Sequence, residues 1–234
     1  MLLYIIRHGD PDYKQDCLNA KGKREAEAVA RRMCQVRPNR IFTSPMGRAI
    51  ETAMPTCELL KKEPTVLEWA HEVEDERLTT FPDGKKRSVT YVPNFYYRTE
   101  KNIDLSFDDS FQCDGFSDSG MKAAYERIAE GGRGFLDELG YKEENGIYRI
   151  IKPNEEKIAL FCHSVMGRCW ISHLLHIPVH MMWSSFAYSF TGVTVIHFKN
   201  YEEGFTAPKC LSYCDLGHLY EDRQGMSFEN EFYI

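Results

Sequence analysis

The chain has 234 residues, 43% of them hydrophobic and 27% charged, which suits a globular protein able to bury a full core. A formal net charge of −6 argues against nucleic acid or an anionic membrane as a bulk partner. No run approaches the ~20 apolar residues of a membrane span.

The opening apolar run is too short for a signal peptide and has no basic region before it. The eight cysteines contain no CxxC pair, and they read as mostly buried thiols of a cytoplasmic protein with neither disulfides nor a metal site.

Leu2 to Ile6 predicts a short strand buried on both faces, ending on Arg7-His8-Gly9. Asp10 to Tyr13 is a loop. From Ala20 to Val36, Ala26, Val29, Ala30, Met33 and Cys34 fall at helical spacing, and Pro38 stops the helix. Arg40 to Thr43 is a second strand. Ser44 is then expected as an N-cap with Pro45 at the first helical position, before a helix burying Ala49, Ile50, Ala53, Cys57 and Leu60. Thr65 to Glu68 is a third strand.

Periodicity fails from residue 73 to 118, a stretch holding Pro82, Asp83, Gly84, Lys85, Lys86, Arg87 and several aromatics. A structureless loop of that length is improbable inside a compact domain. The stretch reads as an inserted lid or specificity segment of a single 1–234 domain, lying over the sheet edge. Helical spacing returns from Met121 to Leu139. Lys157 to Cys162 is a fourth strand ending on His163-Ser164, with Ser164 able to cap a helix from Val165 to Leu175. Thr191 to Phe198 and Phe205 to Tyr213 are late strands joined by a turn over Asn200 to Gly204. The expected fold is an α/β three-layer sandwich: a mostly parallel sheet, one or two late antiparallel strands, and helices on both faces.

Four features point to one end of that sheet, where open α/β folds keep their ligands. Arg7 and His8 end the first strand, and His163 ends the fourth in the same way. Arg48 stands in the first turn of a helix, where a cation opposes the dipole unless an anion sits beside it. The stretch Trp69 to Glu76 supplies a carboxylate. Two imidazoles, two guanidiniums and an acid around one anion suit phosphoryl transfer without a metal or other cofactor.

Arg7-His8-Gly9, then Ser44-Pro45-x-x-Arg48-Ala49-x-x-Thr52-Ala53, then a strand ending in His163, resembles the histidine phosphatase superfamily (phosphoglycerate mutase-like). The resemblance covers residues 2 to about 198. It implies a phosphomonoesterase acting on a small phosphorylated metabolite through a phosphohistidine at His8. Arg7, Arg48 and His163 would bind the phosphoryl group and Glu72 would be the acid–base. Ser164 and Lys14 join them as candidate substrate contacts. A phosphoglycerate mutase is the alternative function, and a non-catalytic phospho-ligand module ranks behind both.

Each residue also has a structural reading. Arg48 would pair with Glu51 or Glu25, and His163 would be a satisfied core histidine. Glu68, Glu74, Asp75 and Glu76 rival Glu72, and His218 reads as a surface histidine. The sequence is silent on oligomeric state and leaves a homodimer open.

Overall fold

The computed structural model describes residues 1–80, 84–113 and 115–224, with the backbone of 227–228 and 232–233. Strand β1 spans Leu2–Arg7, and Leu3, Ile5 and Ile6 are fully buried, as a strand covered on both faces requires. Helix α1 runs Ala20–Val36, with the Asn19 side chain accepting from Lys21 N and Gly22 N, both at 2.9 Å. Strand β2 is Arg40–Thr43.

Helix α2 is Gly47–Leu60, so the expected cap at Ser44 is corrected: Met46 holds that position. Ser44 N still donates to Phe161 O (2.9 Å), which keeps residue 44 on the sheet ladder and delays the helix. Strand β3 is only Thr65–Val66, because Glu68–Ala70 tightens into a 3-10 turn. The remaining large elements are α3 (Met121–Glu138), β4 (Lys157–Cys162), α4 (Ser164–Leu175), α5 (Val179–Ser185), β5 (Val193–His197), β6 (Lys209–Asp215) and α6 (Gly217–Glu221).

The central sheet has the order β6-β5-β1-β4-β2-β3. Strands β1 to β4 are parallel, β5 runs against β1, and β6 against β5. Side-chain alternation sorts two cores. Ile6, Ala159 and Phe161 meet Val29 and Met33 of α1 and Ala53 and Cys57 of α2. Leu3, Ile5, Ile158, Leu160 and Cys162 face the other way, toward α3 and α4. The sheet is thus mainly parallel, with helices on both faces.

Two further corrections concern the late strands. The expected strand from Phe205 to Tyr213 divides, and Pro208 has no N–H to continue a ladder. Phe205–Thr206 joins a small sheet with the hairpin Tyr141–Glu144 and Ile147–Ile150, which periodicity did not anticipate, while β6 returns to the main sheet.

Segment 73–118 carries structure of its own: a hairpin pairing Leu78–Thr80 with Lys86–Ser88, several 3-10 turns and one helical turn at Glu100–Ile103. Pro82 and Asp83 lie outside the described residues. Val89, Tyr97, Cys113 and Phe116 are buried in the same core as Met121 and Trp170, so tertiary packing orders the segment where local period does not. No disulfide joins any of the eight cysteines, and four of them are buried. Among the described residues no helix is long and apolar enough to cross a membrane.

Candidate active site

Strands β1 and β4 are parallel neighbours with Arg7 opposite Cys162, and His8 N donates to Cys162 O (2.9 Å). Their next residues therefore leave the same edge, and the rings of His8 and His163 lie 5.2 Å apart.

His8 is 1% exposed. Its Nδ1 donates to Gly9 O at 2.7 Å, which puts the ring proton there and leaves Nε2 as a lone pair. Arg48 Nε donates to that Nε2 at 3.3 Å. Burial, then the charge of Arg7, the neighbouring His163 and Arg48, hold the His8 imidazolium well below its ordinary range, so the ring is neutral. The loop after it is tied by Thr52, whose Oγ1 accepts from Gly9 N (3.0 Å) and donates to Arg48 O (2.7 Å). Glycine is needed at position 9, because a Cβ there would come within 2.7 Å of Gly22 O.

Arg48 is buried, but neither expected partner takes it. Glu25 accepts from Asp10 N (2.8 Å) and Glu51 from Leu18 N (2.7 Å). Its guanidinium pairs instead with Asp16 Oδ1, while Asp16 Oδ2 accepts from Gly47 N at 2.6 Å. A carboxylate of the chain itself thus occupies the first N–H of α2, a position the sequence suggests for an external anion.

Arg7 donates through Nη1 to Tyr188 O and lies 4.0 Å over the Phe190 ring, with its Nε buried and without a partner among the described residues. His163 Nε2 and Ser44 Oγ share a 2.6 Å hydrogen bond, and Ser44 Oγ also accepts from Met46 N (3.2 Å). The tautomer that satisfies this network has Ser44 donating to Nε2 and the ring proton on Nδ1, a buried atom with no partner among the described residues. Burial, then Arg48 and Arg7, keep His163 neutral as well.

Glu72 sits at the start of α4. Its Oε1 accepts from Val73 N (3.0 Å) and Met166 N (2.9 Å), and its Oε2 from Val165 N (3.1 Å). It is 5% exposed, whereas Glu68, Glu74 and Asp75 face solvent and Glu76 is half-buried. The expected Ser164 cap is corrected: His163 holds the cap position, and the Glu72 carboxylate takes up the first helical N–H groups.

Ser164 is half-buried, with its hydroxyl accepting from Arg168 Nη2 (3.3 Å). Lys14 is exposed, and no contact joins its ammonium to the cluster among the described residues. Tyr13 beside it does approach: its ring stands edge-on to His8 at 6.4 Å, and Arg48 lies 5.5 Å from it. Tyr13 and Asp16 were not readable as site residues, because loop positions carry no period, and Ser44 was in the motif around Arg48 but read only as a helix cap. Thr52 was in view as part of the motif around Arg48, without a role. His218 is not on the surface: it is 4% exposed, with Nε2 bonded to Thr191 Oγ1 (3.1 Å).

Residues 3–81 match the family model of the histidine phosphatase superfamily, branch 1. No curated protein sequence matches the chain. Among solved structures, a mutant phosphoserine phosphatase from Entamoeba histolytica in complex with phosphoserine superposes with a TM-score of 0.63 at 18% identity, over 93% of this chain and 98% of that one. The phosphatase from the same organism in complex with 3-phosphoglyceric acid gives 0.61 at 21% identity, again over 93% and 98%. A mycobacterial glucosyl-3-phosphoglycerate phosphatase gives 0.59 at 16% identity, over 91% and 98%. Residues 3–81 thus carry the pattern of the histidine phosphatase superfamily, branch 1, and the chain shares its fold with these phosphatases over more than nine-tenths of its length.

Proposed function

We propose that the chain is a phosphomonoesterase that hydrolyses a small phosphorylated metabolite through a phosphohistidine at His8, without a metal. One observation carries this reading. Two neutral buried imidazoles stand 5.2 Å apart between two guanidiniums, with the buried donors Arg7 Nε and His163 Nδ1 lacking partners among the described residues.

His8 Nε2 attacks phosphorus in line with the ester oxygen, so a P–N bond forms as the P–O bond breaks. Charge on the transferring oxygens is met by Arg7, Arg48 and His163. Glu72 gives its proton to the departing alcohol, then takes one from the water that attacks phosphorus and breaks the P–N bond. The phosphatase neighbours of similar fold support the same activity.

The test is hydrolysis of 4-nitrophenyl phosphate with and without EDTA, beside His8→Ala and acid-quenched labelling of the protein. Chelator-resistant turnover, lost with the label in His8→Ala, is expected. Activity that survives His8→Ala, or that EDTA abolishes, overturns the mechanism. Conversion of 3-phosphoglycerate to 2-phosphoglycerate faster than phosphate release would replace hydrolysis by mutase transfer.

A further inference from the structure

Three arginines of this chain are buried around the end of the sheet, and the mechanism uses only two. Arg7 and Arg48 face the phosphoryl position. Arg168, on α4 five residues after His163, is 7% exposed and takes no part in that chemistry. Its Nε and Nη2 donate to Ser164 O (3.4 Å) and Ser164 Oγ (3.3 Å), and its guanidinium lies 3.9 Å from the centroid of the Trp183 ring. No carboxylate pairs with it among the described residues, although a buried cation without a counter-charge is costly. Such a group fits best where an anion arrives from outside.

Arg168 lines a cavity of about 470 Å³, within the size range of small-molecule sites. One wall is Thr90 to Asn94 of segment 73–118, and the other is Trp183 to Ala187. Trp183 is held edge-on by its Nε1 donating to Val89 O (3.3 Å), so the ring under the guanidinium is fixed from the segment itself. Two links run from the cavity lining toward the phosphoryl cluster. Arg168 is bonded to Ser164, the residue after His163, and Ala187 precedes Tyr188, whose carbonyl takes Arg7 Nη1. The charge of Arg168 also weighs on Arg7, which places the two guanidiniums in one field.

We infer that this cavity is a second subsite, in which Arg168 binds an anionic group carried by the alcohol half of the phosphomonoester. The inference rests on the phosphatase reading above and narrows its substrate class: a short ester bearing, a few bonds from the phosphorylated oxygen, either a carboxylate or a second phosphate. The planar guanidinium stacked on indole presents its remaining N–H groups as a fork suited to either anion. Segment 73–118 is then the specificity wall.

The experiment compares kcat/KM for 3-phosphoglycerate, glycerol 3-phosphate and propane-1,3-diyl bisphosphate, with 4-nitrophenyl phosphate as a general phosphatase substrate. Wild-type protein should prefer at least one doubly anionic ester over glycerol 3-phosphate by tenfold or more. Which of the two it prefers separates carboxylate from phosphate recognition. Arg168→Met should lower that preference ratio about 10- to 100-fold, as for loss of a charged hydrogen bond. Because Arg168 is buried, Asn94→Asp provides an exposed, near-isosteric second test, and it should lower the same ratio several-fold by repulsion across the cavity. No preference in wild type, or a ratio that neither variant changes, overturns the subsite.

If no ester is hydrolysed, 4-nitrophenyl phosphate included, the phosphatase reading fails instead. The subsite is then read by calorimetric titration of 3-phosphoglycerate into wild-type and Asn94→Asp protein. Weaker binding to the variant supports it, and equal affinity overturns it.

Discussion

Arg48 Nε reaches to 3.3 Å from His8 Nε2 while Asp16 grips the same guanidinium at Nη1. The two contacts set the fork in one plane, with one edge toward an internal carboxylate and the other toward His8 Nε2. A lysine offers one point charge and cannot serve both ends. Arg48→Lys and Arg48→Ala should each lower kcat by about 10²-fold or more. Steady-state kinetics check this, and a kcat within threefold of wild type would remove Arg48 from the reaction.

Glu72 is fixed by three backbone N–H groups, that of Val73 and those of Val165 and Met166 at the start of α4. Glu72→Gln keeps the volume, turns one N–H acceptor into a donor, and removes the proton that the proposed mechanism gives to a poor leaving group. Turnover of an alkyl phosphate should fall by about 10²- to 10⁴-fold, and that of 4-nitrophenyl phosphate much less, since nitrophenolate leaves unaided. Equal losses on both esters would show that Glu72 only positions α4.

Thr52 accepts from Gly9 N and donates to Arg48 O, linking the loop that carries His8 to the helix that carries Arg48. Thr52→Val keeps the volume and leaves Gly9 N buried without an acceptor, which should cost about 1–3 kcal/mol of stability. Denaturant unfolding measures that cost, and a change below half a kcal/mol would contradict it.

Four buried histidines tie stability to pH, His180 among them, lowered by burial. His8 and His163 titrate well below the ordinary 6.5, mainly through burial, and burial with the Arg32 charge brings His218 down to about 4. Below pH 6.5 the unfolded chain binds protons that the folded rings refuse, so stability is full above 6.5 and is lost as pH falls toward 4. His218 alone accounts for on the order of 3 kcal/mol across that window. The Tm should drop steadily from pH 6.5 to 4, and His218→Gln should flatten the slope by about one proton. A Tm insensitive to pH there would refute the linkage.

Much of the core was legible because its signals are local. The run ahead of Arg7, the stripe from Ala20 to Val36 and the run ahead of His163 each state their own period, and the structure keeps their limits. The motif around Arg48 was visible as residue types, but its helix begins later than Ser44 suggests, because the ladder bond to Phe161 O holds the strand one residue longer. The split at Pro208 and the hairpin at Tyr141–Ile150 were missed, since two- to four-residue strands carry too little pattern.

The sequence by itself determined which side chains end the strands, and so which chemistry stands at one edge: two imidazoles, a guanidinium after each of two short strands, and an acid in the run from 68 to 76. Only the tertiary structure decided the pairings. Glu72 stands apart from its acidic neighbours because the first N–H groups of α4 lie against it. Arg48 goes to Asp16 and not to Glu25 or Glu51, and Arg168 shares a cavity wall with residues some 75 positions earlier. Periodicity reports which way a residue faces along its own element. Partners and charge compensation depend on distances between elements, and those exist only once the sheet has set its strand order.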